Sequence, residues 1–231
     1  MEINVINVKE FFNNEKAEDL IKYLEKEKQD RVLKYRRKED KVRVIIGGIL
    51  TKVIAAKKNN RNLNGITYKY NEYNKPKFEN INDLEFNISH SGDYVITAFD
   101  NNALGVDIEK ISNIEYKDIA ERFFSKEEFK WIIKEGDKKS LRRFYKIWTL
   151  KESYVKLLVK VLNIPFDSFS FKYNEEKDVF YLDNIKEKIV FFNFQLDNYE
   201  ISACTYSDKV DIINWDYNKL IKEINKLSVV F

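Results

Sequence analysis

Residues 105–109 place two carboxylates where they could bind a cation. The segment Gly-Val-Asp-Ile-Glu is typical of a short buried strand, with Val106 and Ile108 on one side and Asp107 and Glu109 on the other. Residues two apart on a strand share a face and lie roughly 7 Å apart along the chain. Oxygen ligands suit Mg²⁺, which keeps several waters and takes the rest of its shell from a substrate phosphate. The alternative is an exposed edge strand whose acidic side chains are solvated.

A long helix is predicted over residues 141–162, and it carries a third carboxylate. Glu152 and Lys156 stand four residues apart, so their side chains share one face of this helix. In one interpretation they form a surface ion pair worth about 0.2–0.5 kcal/mol. In the functional interpretation, Glu152 joins the other two carboxylates and Lys156 contacts a phosphate group.

Length and composition exclude several other classes of protein. The chain has 231 residues, enough for a sizeable core, and a net charge of +3 with 34% charged residues. Such a mixed surface lacks the strong positive bias of a nucleic-acid-binding protein. The single Cys204 and the single His90 exclude an intramolecular disulfide and a cysteine- or histidine-rich metal site. Because no apolar run approaches roughly 18 residues, we expect a cytoplasmic protein without a membrane span.

A basic stretch early in the chain is a candidate anion site. It contains six basic residues, which are Lys28, Arg31, Lys34, Arg36, Arg37 and Lys38. A solvated helix face accounts for most of them, and an anion site is the functional alternative. The next predicted helix contains Gly47 and Gly48, and each glycine costs roughly 1 kcal/mol relative to alanine in a helix. The glycine pair therefore predicts close packing against this helix.

A faint internal repeat indicates two similar α+β halves. Residues 86–87 and 94–98 (Phe-Asn and Tyr-Val-Ile-Thr-Ala) resemble residues 192–193 and 199–203 (Phe-Asn and Tyr-Glu-Ile-Ser-Ala). A long helix is predicted before each of the two hairpins. Chance similarity between short strands is the alternative explanation. If the repeat is real, the acidic strand lies near the seam between the halves.

Four motifs follow one another along the chain. They are Asn87-Ile88-Ser89-His90-Ser91, Gly105-Val106-Asp107-Ile108-Glu109, Phe123-Phe124-Ser125 and Trp148-x-x-Lys151-Glu152-Ser153-Tyr154-x-Lys156. In order and spacing they resemble the Sfp-type (surfactin-type) 4'-phosphopantetheinyl transferases, from about residue 3 to residue 206. The resemblance implies two pseudo-symmetric α+β halves in one monomer, with coenzyme A in the cleft between them. It also implies transfer of phosphopantetheine from coenzyme A to a serine of an acyl or peptidyl carrier protein, with release of 3',5'-ADP.

The resemblance further implies catalytic roles for individual residues. The residues that would hold Mg²⁺ on the pyrophosphate are Asp107, Glu109 and Glu152. Lys156 would contact the same pyrophosphate, and Glu128 occupies the position proposed as the general base. The adjacent Glu127 is the alternative base, because the assignment could slip by one residue.

The coenzyme A nucleotide is assigned to the N-terminal half, residues 1–104. The residues that the resemblance implies for binding coenzyme A are Lys28, Arg31, Tyr73, Asn74, Lys75, Pro76, Ser89, His90, Ser91 and Lys156. Lys28, Arg31 and His90 resemble the family's 3'-phosphate site, and Lys75-Pro76 resembles its adenine-side loop. Metal and carrier binding are assigned to the C-terminal half, residues 105–231, where we predict that the carrier docks on residues 112–124.

One departure from the family pattern keeps two other functions open. The family usually has glycines shortly after the lysine that matches Lys156, whereas this chain has Val159 and Val161, which could narrow the channel for the pantetheine arm. One alternative is another Mg²⁺-dependent enzyme that acts on a nucleotide pyrophosphate. The other is a non-catalytic module that binds coenzyme A or a carrier protein.

Overall fold

The computed structural model describes residues 1–70, 75–134, 136–158, 164–182, 185 and 187–228, with the side chains of residues 15 and 16 left aside. The elements up to residue 101 are β1 (Glu2–Asn7), α1 (Lys9–Phe12), a 3-10 helix (Glu15–Tyr23), α2 (Lys26–Leu33), α3 (Lys38–Lys58), a second 3-10 helix (Leu63–Gly65), β2 (Tyr68–Tyr70), β3 (Pro76–Phe78), β4 (Glu85–Ser91) and β5 (Tyr94–Asp100).

The remaining elements are β6 (Leu104–Lys110), α4 (Tyr116–Phe123), α5 (Lys126–Ile133), α6 (Asp137–Leu158), a third 3-10 helix (Phe166–Ser168), β7 (Phe171–Asn174), β8 (Val179–Leu182), β9 (Val190–Leu196), β10 (Tyr199–Thr205), β11 (Asp211–Trp215) and α7 (Tyr217–Ser228). This mixture of helices and largely antiparallel sheets confirms the predicted α+β class. No helix in the described ranges is long and apolar enough to cross a membrane.

The chain divides into two compact units, but not at the predicted boundary. One unit consists of Glu2–Asn101 with Asp211–Phe231, and the other of Asn102–Val210 with Met1. The prediction placed the C-terminal segment in the second half, whereas β11 pairs in parallel with β1 and so belongs to the first unit. The Trp215 indole also donates a 2.7 Å hydrogen bond to the Asn4 side chain. These contacts join residues more than 200 positions apart, and no local pattern predicts them.

The first unit is a four-stranded sheet, in the order β11-β1-β5-β4, packed against α3. The apolar stripe of α3 forms much of its core, because Ile45, Ile46 and Ile49 are almost entirely buried. The close packing predicted from the glycine pair is confirmed. A Cβ atom at Gly47 would lie 3.1 Å from the Ile88 side chain, so the absence of a side chain lets α3 approach β4.

The second unit packs α6 against a three-stranded sheet in the order β6-β10-β9. The closest approach is at Gly105 in β6, where a Cβ atom would lie only 1.9 Å from the Ser153 carbonyl oxygen of α6. Thr149 and Ser202 join the helix to β10 through a buried 2.7 Å hydrogen bond between their hydroxyl groups. A separate hairpin of β7 and β8 completes the unit.

The two units share a topology, as the internal repeat predicted. One of the two pairs of matched segments, however, does not occupy equivalent positions in the two hairpins. In each unit a long helix covers a hairpin, and the second hairpin strand pairs with an earlier antiparallel strand. The matched segments 94–98 and 199–203 occupy equivalent positions in β5 and β10. Ala98 pairs with Asn87, however, whereas Ala203 pairs with Phe192. The Phe-Asn matches are therefore offset by one residue, which places their side chains on opposite faces.

Candidate functional site

Asp107 lies buried on the helix-facing side of β6, where Lys156 of α6 reaches it. The side chain of Asp107 is 5% exposed, and its Oδ1 atom accepts a 2.6 Å hydrogen bond from Lys156 Nζ. The same ammonium group donates to the Val106 carbonyl oxygen at 3.3 Å. The glycine at 105 makes this geometry possible, because it brings the strand and the last turns of α6 into backbone contact. Asp107 and Lys156 therefore lie in contact, and the roles predicted for them stay predictions.

Glu152 carries the second carboxylate of this arrangement, and its electrostatics favour a cation. Burial raises the pKa of the Glu152 carboxyl above its usual range, the negative charge of Asp107 raises it further, and Lys156 opposes both effects. Glu109 lies two residues after Asp107 and is half-buried on the same face of β6. Asp107, Glu109 and Glu152 all carry carboxylate oxygens. Their oxygen donors fit Mg²⁺ chemically.

The three predicted metal ligands do not converge as a finished metal site. Within the ranges that the structure describes, no three Asp, Glu, His or Cys side chains are arranged so that they could hold a metal ion. The ammonium group of Lys156 already contacts the Oδ1 atom of Asp107. The assignment of Mg²⁺ to Asp107, Glu109 and Glu152 therefore stays a prediction.

A fourth carboxylate, Glu200, was missed by sequence reasoning. Strand pairing places Glu200 of β10 directly opposite Glu109, so both side chains lie on the same face of the sheet. Glu200 is fully buried, and burial raises the pKa of its carboxyl to about 7, with Lys146 and Arg142 opposing the shift. A signal was present, since Glu200 and Ser202 alternate with apolar residues as Asp107 and Glu109 do. Only the register reveals which acid it faces.

Glu128, the predicted general base, is bonded within the fold, and its role as the base stays a prediction. Its side chain is completely buried. The Oε1 atom accepts a hydrogen bond from the Phe171 amide at 2.8 Å and forms an ion pair with Lys151 Nζ at 2.9 Å. Oε2 accepts from the Ser125 amide at 2.9 Å, which completes a capping box at the start of α5. Both oxygens are thus occupied within the fold. The adjacent Glu127 is exposed and remains available as the alternative base.

Lys151, to which sequence reasoning gave no separate role, is the ion-pair partner of Glu128. Its ammonium group is fully buried and also donates to the carbonyl oxygens of Phe166 at 2.6 Å and Phe169 at 2.7 Å. It lies 4.3 Å from the centre of the Phe169 ring. Burial lowers the pKa of Lys151, and the Glu128 carboxylate opposes this shift. The pair fastens α5 and the segment after α6 to α6 itself.

We expect Lys151→Met to lower the free energy of unfolding by about 3 kcal/mol, because it leaves the buried Glu128 carboxylate without its counter-ion. The double variant Lys151→Met/Glu128→Gln should recover only part of this loss, since no unpaired charge remains but an amide at position 128 can accept a hydrogen bond from only one of the two backbone N–H groups. Denaturant unfolding of both variants measures the difference. If the single variant proved as stable as the unaltered chain, the buried pair would not stabilise the fold.

The first unit contains a small basic cavity that brings predicted nucleotide-binding residues together. Its volume is about 160 Å³, and the lining residues are Lys28, Arg31, Val32, Tyr35, Val44, Tyr70 and Pro76. Burial lowers the pKa of Lys28 to about 8, and the Glu25 carboxylate opposes this shift. Lys28 and Arg31 supply positive charge for a phosphate, and the tyrosine rings supply faces on which an aromatic base can stack. Three of the predicted coenzyme A residues thus share one cavity.

The other residues predicted to bind the nucleotide either do not line this cavity or lie outside the residues that the structure describes. Tyr73 and Asn74 fall outside the described residues, as do Val159 and Val161. Lys75 is half-buried beside Pro76. The residues at the end of β4 are divided between two faces, because His90 is exposed and the neighbouring Ser89 is buried. Ser91 follows on the same face as Ser89, so the serines and His90 point in opposite directions.

The predicted docking segment, residues 112–124, presents part of its apolar surface to solvent. Phe123 of α4 is 46% exposed, with Arg122 stacked over its ring at 5.2 Å. Phe124 is buried in the core, so the two adjacent phenylalanines have different roles. Lys117 forms a 2.9 Å ion pair with Asp137, and both side chains are well exposed. Exposed pairs of this kind contribute little stability, which leaves Lys117 free to exchange partners.

Comparison with known proteins gives two family matches that together cover most of the chain. Residues 103–204 match the model of the 4'-phosphopantetheinyl transferase superfamily, and residues 13–102 match that of the 4'-phosphopantetheinyl transferase N-terminal region. The 4'-phosphopantetheinyl transferase gsp of Aneurinibacillus migulanus is 35% identical over 169 residues, which are 73% of this chain and 70% of that protein.

Two proteins of Bacillus subtilis match over shorter regions. The 4'-phosphopantetheinyl transferase ffp is 39% identical over 58% of this chain and 59% of its own length. The 4'-phosphopantetheinyl transferase Sfp of strain 168 is 36% identical over 59% of this chain and 61% of its own length. This chain thus spans about three fifths of the length of these two relatives.

Proposed function

Because this chain belongs to the 4'-phosphopantetheinyl transferase family, we propose that it transfers the 4'-phosphopantetheine group of coenzyme A to a serine of an acyl or peptidyl carrier protein. The predictions of Sfp-type membership and of phosphopantetheinyl transferase as the enzyme class are confirmed. The proposed chemistry is supported by one observation. The buried Asp107 carboxylate contacts Lys156, and its negative charge raises the pKa of Glu152. A cytoplasmic, monomeric enzyme fits this function and stays a prediction.

The proposed reaction breaks one bond of the pyrophosphate and forms one phosphate ester. The serine hydroxyl oxygen attacks the phosphorus that carries pantetheine, the bond to the bridging oxygen breaks, and 3',5'-ADP leaves. Such a displacement needs charge neutralisation and in-line positioning more than a protein nucleophile. Lys156 supplies a positive charge by turning from Asp107 to the pyrophosphate. Glu128 is the proposed acceptor of the serine proton, and the adjacent exposed Glu127 is the alternative.

The acidic side chains of β6 and α6 are the proposed Mg²⁺ ligands. They are Asp107, Glu109 and Glu152. When bound, Mg²⁺ supplies neutralisation of the pyrophosphate charge. Glu152 would bind it in the ionised form, although burial and Asp107 hold its pKa above the usual range. This support is electrostatic, and it agrees with the roles that the family resemblance implies for these three positions.

The first unit is the proposed nucleotide side, as predicted for residues 1–104. Lys28 and Arg31 line one cavity and would bind the 3'-phosphate, with His90 as a third basic contact. Pro76 lines the same cavity and would contact the adenine side together with Lys75. Tyr73 and Asn74 complete the predicted loop, and Ser89 and Ser91 flank His90.

The direct test is mass spectrometry of an apo-carrier incubated with this protein, coenzyme A and Mg²⁺. A gain of one phosphopantetheine on the carrier serine, with 3',5'-ADP released, is the expected result. Breakdown of coenzyme A without modification of the carrier would instead favour another Mg²⁺-dependent enzyme of nucleotide pyrophosphates. Binding without any reaction would favour a non-catalytic module.

We expect Phe123→Ala to raise the KM for the carrier about tenfold while the KM for coenzyme A stays unchanged, because a few residues carry most of the binding energy of an interface and Phe123 is the exposed aromatic side chain of the docking segment. Ile133→Ala on α5 is the matched control, since Ile133 is similarly exposed, at 41%, but lies outside the docking segment. Steady-state kinetics with both substrates varied gives the two constants. An equal effect of the two substitutions would contradict docking on α4.

A further inference from the structure

Gly48 of α3 has no side chain, and the end of Lys28 occupies the space beside it. A Cβ atom at Gly48 would lie 2.8 Å from Lys28 Nζ and 2.8 Å from the Leu24 side chain. The Tyr68 ring lies 5.9 Å from the same ammonium group, and its hydroxyl donates to the Gly48 carbonyl oxygen at 3.4 Å. The Lys28 side chain thus runs along α3 to the basic cavity that it lines. Any residue larger than glycine at position 48 would fill the space that the lysine occupies.

Glu25 stands at the start of α2, three residues before Lys28, and is fastened to α3. Lys52 is 5% exposed, and its ammonium group donates to Glu25 Oε1 at 3.0 Å and to the Tyr23 carbonyl oxygen at 2.9 Å. Glu25 makes no side-chain hydrogen bond to the helix that it precedes. Its Oε2 atom is buried and accepts no hydrogen bond from the described residues. Its negative charge is therefore held in place beside Lys28.

The groups around Lys28 shift the pKa of its ammonium group in opposite directions. Burial lowers its pKa to about 8, Glu25 raises it, and the positive charges of Arg31 and Lys52 lower it. Burial raises the pKa of Tyr68 well above its usual value, so this ring stays neutral. Glu25 is the only one of the named causes that keeps the ammonium group charged.

We propose that Gly48 and Glu25 are positioning residues for Lys28, and that they thereby determine how strongly this chain prefers a nucleotide with a terminal 3'-phosphate. Gly48 leaves the room that the ammonium group needs, and Glu25 favours its protonated form. This inference rests on the proposed function, because it takes coenzyme A as the ligand of the basic cavity. It adds two residues that do not touch the ligand.

The first test compares Gly48→Ala with Gly47→Ala, using calorimetry with coenzyme A and dephospho-coenzyme A near neutral pH. The new methyl group at position 48 would meet the flexible end of Lys28 and the Leu24 side chain, each at 2.8 Å, whereas the one at position 47 would meet Ile88 and Val95. Alanine favours a helix by roughly 1 kcal/mol over glycine, which offsets part of the cost of moving Leu24, and circular dichroism of both variants checks that the fold is kept. We expect Gly48→Ala to weaken coenzyme A binding about tenfold, a loss of the size of one charged hydrogen bond, and dephospho-coenzyme A binding less than about twofold.

The second test follows Glu25→Gln across pH, from about 6.5 to about 9.5, a range that brackets the Lys28 pKa of about 8. Phosphate binding favours the protonated lysine, so the preference for coenzyme A over dephospho-coenzyme A should fall as the pH rises through the Lys28 pKa. Without the Glu25 charge that pKa is lower, and the fall should begin at a lower pH. If Glu25 only stabilised the fold, its replacement would leave this midpoint unchanged. A shift of the midpoint therefore reports the effect of Glu25 on the charge of Lys28.

Equal losses for both ligands in Gly48→Ala, or an unmoved midpoint in Glu25→Gln, would overturn the positioning roles while leaving the proposed function intact. An unaltered chain that binds neither coenzyme A nor dephospho-coenzyme A at any pH would overturn both. A preference for coenzyme A that is lost in Gly48→Ala and retained in Gly47→Ala would support the inference.

Discussion

Replacement of Asp107 by asparagine should reduce phosphopantetheine transfer by at least about 100- to 1,000-fold, the scale on which loss of one preorganised electrostatic group lowers kcat. The change keeps the size of the side chain but removes the charge that pairs with Lys156 at 2.6 Å. It also removes one of the proposed Mg²⁺ ligands. The transfer rate, followed by mass spectrometry at saturating coenzyme A and carrier, measures the loss.

A second readout of Asp107→Asn does not depend on activity. Because the Asp107 charge raises the pKa of the Glu152 carboxyl, its removal should lower that pKa, which an NMR titration of the Glu152 carboxyl can follow. Glu176→Gln is the matched control, since it removes an exposed carboxylate in the same unit. Full activity of Asp107→Asn would contradict the roles proposed for Asp107, Glu109 and Glu152.

Gly105→Ala should destabilise the second unit by about 4 kcal/mol or more, at the extreme of what single substitutions cause. A Cβ atom there would lie 1.9 Å from the Ser153 carbonyl oxygen and 2.8 Å from the Leu157 amide nitrogen. Both are backbone atoms of α6, so no side-chain rotation relieves the overlap. The helix must move away from β6, which also separates Lys156 from Asp107. Denaturant unfolding, followed by circular dichroism, measures the loss.

Gly136→Ala is the control for this substitution, because a Cβ atom at Gly136 would meet nothing within 4 Å. It should unfold at nearly the same denaturant concentration as the unaltered chain. If Gly105→Ala unfolded there too, α6 and β6 would be separated more widely than the structure describes.

The local features of the acidic site were predictable because short-range geometry determines them. Side chains two apart on a strand share a face, and this rule alone placed Asp107 with Glu109. The capping box of α5 follows from the spacing of Ser125 and Glu128, and both of its hydrogen bonds are present. In each case the interacting groups lie within four residues of one another.

The availability of particular side chains was not predictable, because it depends on distant partners. Glu127 and Glu128 are adjacent acids, and only the packing of Lys151 and the Phe171 amide shows that Glu128 is buried. Glu200 likewise faces Glu109 only through a strand register that joins residues 91 positions apart. Sequence spacing carries no information about such pairings.

The sequence by itself determined the α+β class, the family and the shared faces of the acidic residues, because these depend on periodicity and on motifs of a few residues. The tertiary structure decided that β11 joins β1, that Gly105 meets the backbone of α6, and that the end of Lys28 occupies the space beside Gly48. Each of these contacts forms between segments that are distant along the chain. They exist because burial of apolar surface brings those segments together, and no local pattern encodes which atoms then meet.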